Sequence, residues 1–188
     1  MELSGEFAIP APIEKVWAAL NDPEILRASV PGCQSITKLS DTEMEGAVVA
    51  SVGPVKATFK GSVVLSEMNP PNSYTLTGQG KGGAAGFAKG VAKVALTESG
   101  GITTLRYKVE ASVGGKLAQI GQRLIDGTAK KLSEEFFGNF SRILGGVTAP
   151  QAATPIIEHE NDARGLHPYV WMSGLIAIIG LLLFIFAR

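Results

Sequence analysis

The chain carries 188 residues, and its 17 basic and 17 acidic side chains cancel to a formal net charge of zero. That balance gives no electrostatic case for nucleic-acid binding. A single cysteine, Cys33, excludes an internal disulfide and fits a reducing compartment. The first residues, Met1 to Glu6, lack the basic and apolar regions of a secretory signal, so the folded part is expected in the cytoplasm.

Residues 2–9 alternate well enough for a first strand, which Pro10-Ala11-Pro12 ends. Ile13, Val16, Trp17 and Leu20 then fall at helical spacing, and Pro12 is tolerated at a helix start. Asp22-Pro23 opens a second short helix that Val30-Pro31-Gly32-Cys33 closes. Strand signals follow over residues 35–39, 43–52, 55–67, 74–80, 87–97 and 102–113. The pair 43–52 and 55–67 flanks Gly53-Pro54, a tight-turn signal. Along residues 55–65, Val55, Ala57, Phe59, Gly61, Val63 and Leu65 share one face against Lys56, Thr58, Lys60 and Ser62. That is the period-two pattern of a half-buried strand.

Gly114-Gly115 ends this run, and one long amphipathic helix is expected from Lys116 to about Leu144. An antiparallel sheet with one wet face must cover the other, and this helix is the cover available. The expected fold class is therefore α+β, an antiparallel sheet curved around a long C-terminal helix, over residues 1–144. Residues 145–168 read as a flexible linker, with Gly145-Gly146, Pro150 and Pro155 among acidic residues. About 20 such residues span roughly 25 Å. Residues 169–188 read as a transmembrane anchor, because Val170 to Ala187 contains no charge. At about 1.5 Å rise per residue that segment reaches roughly 27 Å, close to a bilayer's hydrocarbon thickness. Tyr169 and Trp171 suit one interface, and Arg188 the other.

Catalytic and metal chemistry find little support. His159 and His167 are the two histidines, and both lie near the anchor, so the folded part has no Ser-His or Cys-His pair. Cys33 reads as a core or pocket-rim residue. The glycines of residues 78–90 follow no phosphate-loop spacing and lie between strands. Zinc would need clustered Cys and His. Glu43, Glu45 and Glu110 alternate with apolar residues as solvent-face positions. Asp126 stands four residues before Lys130, a helix-surface pair. No catalytic residue, metal ligand or intrinsic cofactor is expected.

Small side chains are the remaining oddity. Residues 81–92 are mostly Gly, Ala and Lys, and the long helix carries Ala118, Gly121, Gly127 and Ala129. Interior glycine costs a helix about 0.5–1 kcal/mol relative to alanine. Either helix and sheet approach closely, or they stand apart around an apolar pocket. Composition alone favours close packing.

The segments Val30-Pro31-Gly32-Cys33, Val52-Gly53-Pro54-Val55-Lys56-Ala57, 80–90 and 113–121, in this order, resemble the family of the carbon monoxide dehydrogenase G subunit. That family belongs to the START-like helix-grip superfamily. The resemblance covers roughly residues 1–144 and implies a cavity between sheet and long helix. It also implies recruitment of aerobic carbon monoxide dehydrogenase, or a related molybdenum hydroxylase, to the cytoplasmic membrane. A respiratory quinone, menaquinone or ubiquinone, or another lipid is the ligand it suggests. On this reading the protein is a single-pass, C-terminally anchored accessory facing the cytoplasm, and not an enzyme. The expected lining is Phe59, Phe87, Val94, Leu105, Tyr107, Leu117, Ile120, Gly121, Leu124, Thr128 and Phe136. The competing reading is a docking adaptor with a filled core and no ligand.

Overall fold

A computed structural model describes residues 2–145. The linker and the anchor expected from the sequence lie outside these residues. Among the described residues, no helix is long and apolar enough to cross a membrane.

The chain runs β1 (Glu2–Ile9), α1 (Ile13–Leu20), α2 (Pro23–Ser29), β2 (Cys33–Lys38), β3 (Glu43–Val52), β4 (Val55–Asn69), β5 (Ser73–Lys81), β6 (Phe87–Ser99), β7 (Ile102–Gly114), α3 (Lys116–Gln119) and α4 (Gln122–Gly145). A 3-10 turn at Gly83–Ala85 joins β5 to β6. The seven strands form one antiparallel sheet in the order β1-β7-β6-β5-β4-β3-β2. Strands β2 to β7 are a plain meander. β1 returns to pair with β7, Phe7 opposite Leu105, so α1 and α2 connect the two edges of the sheet.

The alternation visible in the sequence sets which face is buried. Phe59, Val63 and Leu65 of β4 face the helices, as do Ala88, Ala92, Val94 and Leu96 of β6. Leu105, Tyr107 and Val109 of β7 join them. Lysines and arginines alternate outward. The largest side chains with no exposure, Phe59, Phe140, Ile9, Leu105, Val16, Val48 and Val109, come from sheet and helices together. A core that mixes both layers is what a one-sided sheet requires.

Local capping fixes the short helices. Asp22 accepts hydrogen bonds from the backbone of Glu24 (2.8 Å) and Ile25 (3.3 Å), and Pro23 stands where its missing N–H costs nothing. At α1 the N-cap is Pro12, and a distant carboxylate substitutes: Ile13 N–H donates to Glu98 at 2.7 Å.

The expected single helix over 116–144 is two. Gly121 has φ +94 and separates α3 from α4. A helical residue needs negative φ, so the break falls where only glycine is unstrained. The glycine at 121 therefore ends one helix and begins another, and the phase of the apolar stripe shifts across it.

Candidate functional site

α4 lies across the sheet in two unlike halves. Its C-terminal half is packed by rings. Phe136 and Phe137 meet edge to face at 5.0 Å, Phe136 stacks on Phe140 at 5.6 Å, and Phe7 of β1 stacks on Phe137 at 4.0 Å. Long-range polar ties reinforce it. Asn139 donates to the Ser29 carbonyl at 3.1 Å, and Lys15 donates to the Leu144 carbonyl at 2.8 Å.

The N-terminal half makes local bonds. Gln122 donates to Asp126 (2.6 Å), and Thr128 donates to the Leu124 carbonyl (2.9 Å). Beneath this half lies an apolar cleft lined by Val52, Val113, Leu117, Ile125, Thr128, Ala129 and Leu132. Its volume is about 10 Å³, room for about one water. Val52 of this lining leads into the β3–β4 turn, where a Cβ on Gly53 would lie 3.3 Å from Ile120 Cγ2 and 3.6 Å from Leu124 Cδ1.

One polar atom in this interface is unsatisfied. The Ser133 hydroxyl, one turn beyond Ala129, is fully buried and has no hydrogen-bond partner among the described residues. A buried hydroxyl in that state costs about 1–3 kcal/mol.

The residues expected to line a pocket divide into four groups. Leu117 and Thr128 border the cleft, and Ile120 stands half-buried beside Gly53. Phe59, Leu105 and Phe136 are buried in the same layer as filled core, away from the cleft. Val94 and Tyr107 are also buried, and they border an open groove of about 500 Å³ with Glu67, Lys93, Arg106 and Lys108. Gly121, Leu124 and Phe87 do not face the interior. Leu124 is 51% exposed, because the break at Gly121 turns Ile125 inward instead. Phe87 is 46% exposed and covers Gly114 on the outer face of the sheet. Phe87 and Val94 are seven residues apart on one strand, so they must point to opposite faces. The structure adds Val52, Val113, Ile125, Ala129 and Leu132 to the lining, and the alternation of β3 and β7 carries the signal for the first two.

Gly127, expected to make way for close packing or a ligand, does neither. It is exposed, and a Cβ there would meet nothing within 4 Å. Gly82 is the opposite case: a Cβ would lie 2.5 Å from the Phe59 ring, so this turn closes over the core only as glycine.

Two titrating groups are shifted by burial. Desolvation raises the Cys33 thiol, partly offset by the charge of Arg27 and a backbone hydrogen bond at Ser35. Burial pushes the Tyr74 hydroxyl far above the usual phenol range. Neither shift activates a nucleophile. Among the described residues, no cluster of His, Cys, Asp and Glu is arranged to hold a metal ion.

A solved protein from Geobacillus kaustophilus is 30% identical, with a TM-score of 0.73, covering 78% of this chain and 96% of its own. A START superfamily protein from Mycobacterium smegmatis is 13% identical, with a TM-score of 0.61, covering 78% and 99%. A Thermus thermophilus protein is 16% identical, with a TM-score of 0.59, covering 79% and 100%. The latter two show the fold alone. A search of curated proteins finds no match. The sequence model for the carbon monoxide dehydrogenase G subunit (CoxG) matches residues 5–145, the whole folded domain but for its first residues, and the chain belongs to that family.

Proposed function

We propose that this protein is a non-catalytic carrier that brings a lipophilic ligand, a respiratory quinone, from the cytoplasmic membrane to a carbon monoxide dehydrogenase or related molybdenum hydroxylase. Residues 169–188 anchor it in the bilayer, and residues 145–168 give it reach. The observation that carries the reading is the buried Ser133 hydroxyl without a partner, one turn from an apolar cleft under a weakly held helix end. A quinone carbonyl would accept that hydrogen bond, and its ring and tail would bury against Leu117, Ile125, Ala129 and Leu132. Each CH₂ buried favours binding by about 0.8 kcal/mol.

A volume of about 10 Å³ is too small for a quinone ring. Loading therefore requires the start of α4 to lift, and the positive φ of Gly121 gives a natural pivot. The same tightness favours the competing reading, a docking adaptor with a filled core. Two variants separate them. Lipids extracted from the purified full chain and analysed by mass spectrometry should contain quinone. Ser133→Ala should load about tenfold less quinone, the weight of one hydrogen bond of roughly 1.4 kcal/mol. Ala129→Phe should remain membrane-bound and lose carbon monoxide-dependent quinone reduction. Wild-type protein reproducibly free of lipid, or an Ala129→Phe variant with full coupling, rejects the carrier and leaves the adaptor.

A further inference from the structure

The zero net charge hides a strong polarity. The turns β2–β3, β4–β5 and β6–β7 lie at one end of the sheet, with Asp41, Glu43, Glu67 and Glu98 at or beside them and Lys38 paired to Asp41 at 3.0 Å. The other end comprises the β3–β4 turn, the loop 82–86, α3 and the first turn of α4. It carries Lys56, Lys60, Lys81, Lys116 and Arg123, all exposed. Among the described residues none of these five joins an ion pair. The acid nearest them in sequence, Asp126, accepts a hydrogen bond from Gln122.

The arrangement is costly in isolation. Lys60 and Lys81 stand directly opposite each other on adjacent strands, and like charges so placed repel. In the same cross-strand row, Phe87 follows Lys81. Leu124 projects from the first turn of α4, and Ile120 lies with it beside Gly53. Exposed large apolar side chains set among unpaired cations are the composition of a surface that seats in a lipid headgroup layer. A purely protein-facing basic patch has no need of Phe87 and Leu124 left half exposed.

We propose that this end of the domain docks on an anionic phospholipid surface, with Leu124 and Phe87 inserted among the headgroups and the five cations above them. The inference rests on the reading that the domain works at a bilayer, and it adds an orientation. The end with Gly53, Ile120 and Leu124 faces the lipid, and the acidic end faces the cytoplasm. A ligand leaving the membrane would then reach the cleft without crossing water.

The test uses the full chain in vesicles, with Cys33→Ser and an environment-sensitive fluorophore on Leu124→Cys. A second protein carries the fluorophore on Asp41→Cys, at the acidic end. With about 30% phosphatidylglycerol in phosphatidylcholine, the Leu124 probe should shift to the blue and be quenched by lipid-borne quenchers. The Asp41 probe should report water. In pure phosphatidylcholine both should report water. Replacing Lys56, Lys81, Lys116 and Arg123 by Gln should lower the docked-to-free ratio about fivefold per charge, several-hundredfold in all. Replacing Lys130 and Lys131 by Gln should change it little.

A Leu124 probe that stays wet on anionic vesicles overturns the proposal. So does equal sensitivity to the Lys130 and Lys131 changes, or shielding by an acidic protein but not by lipid. The carrier reading fails separately: a docked probe on a protein that yields no quinone leaves the surface standing and removes the ligand.

Discussion

The two halves of α4 rest on the same sheet and differ in almost everything that holds them there. The C-terminal half is fixed by four aromatic rings and by hydrogen bonds from Lys15 and Asn139. The N-terminal half sits on Val52, Val113 and Leu117, makes local side-chain bonds at Gln122 and Thr128, and follows a glycine with positive φ. One helix is therefore packed by large rings at one end and by small or branched aliphatics at the other.

Truncation is the strongest way to break this contrast. Phe140→Ala removes a fully buried ring from the ring-packed half and should cost about 3–5 kcal/mol in denaturant unfolding. Leu117→Ala, beside the cleft, should fall near the bottom of its range, about 2 kcal/mol, because its neighbours are small or branched aliphatics that can close over the gap. Equal losses at the two sites would erase the distinction.

Alkaline titration sharpens it on the ring-packed side, where Tyr74 packs edge to face on Trp17 at 5.5 Å. The folded Tyr74 phenol stays protonated above the pH at which the unfolded chain ionises, because burial raises it. Its stabilising contribution is thus complete below about pH 10 and falls as pH rises beyond, by up to about 1.4 kcal/mol per pH unit. Tyr74→Phe should remove that slope in unfolding curves collected between about pH 9 and pH 11, on either side of the ordinary phenol range.

The smallest effect concerns the N-terminal half. Gly127 is exposed and has open space where a Cβ would go. Gly127→Ala should stabilise the domain by about 0.5–1 kcal/mol in chemical denaturation, through helix propensity alone. A loss instead would mean that this turn needs the glycine for movement or contact.

Much of the architecture is legible in the sequence, because a one-sided sheet writes its register as alternation. All seven strands follow from that signal, and α1 and α2 from helical spacing and the Asp22-Pro23 start, with small differences at their ends. The site is less legible for two local reasons. Reading Lys116 to Leu144 as one helix ignores the steric meaning of Gly121, and the resulting phase error puts Leu124 inside and leaves Ile125 out. Reading Phe87 as pocket lining trusts its size over its parity with Val94. The cleft's own walls are mostly small or branched aliphatics, which carry no chemical mark that separates a lining from a core. Ser133 is invisible for a related reason: a serine on an amphipathic helix reads as surface until its neighbours are known.

The hydrogen bond from Lys15 to the carbonyl of Leu144 ties the last turn of α4 to α1. The last carbonyls of a helix lack partners within it, and a lysine cation there also answers the negative end of the helix dipole. The place where the chain leaves the domain is therefore pinned to α1, at the end of α4 away from Gly121 and the cleft.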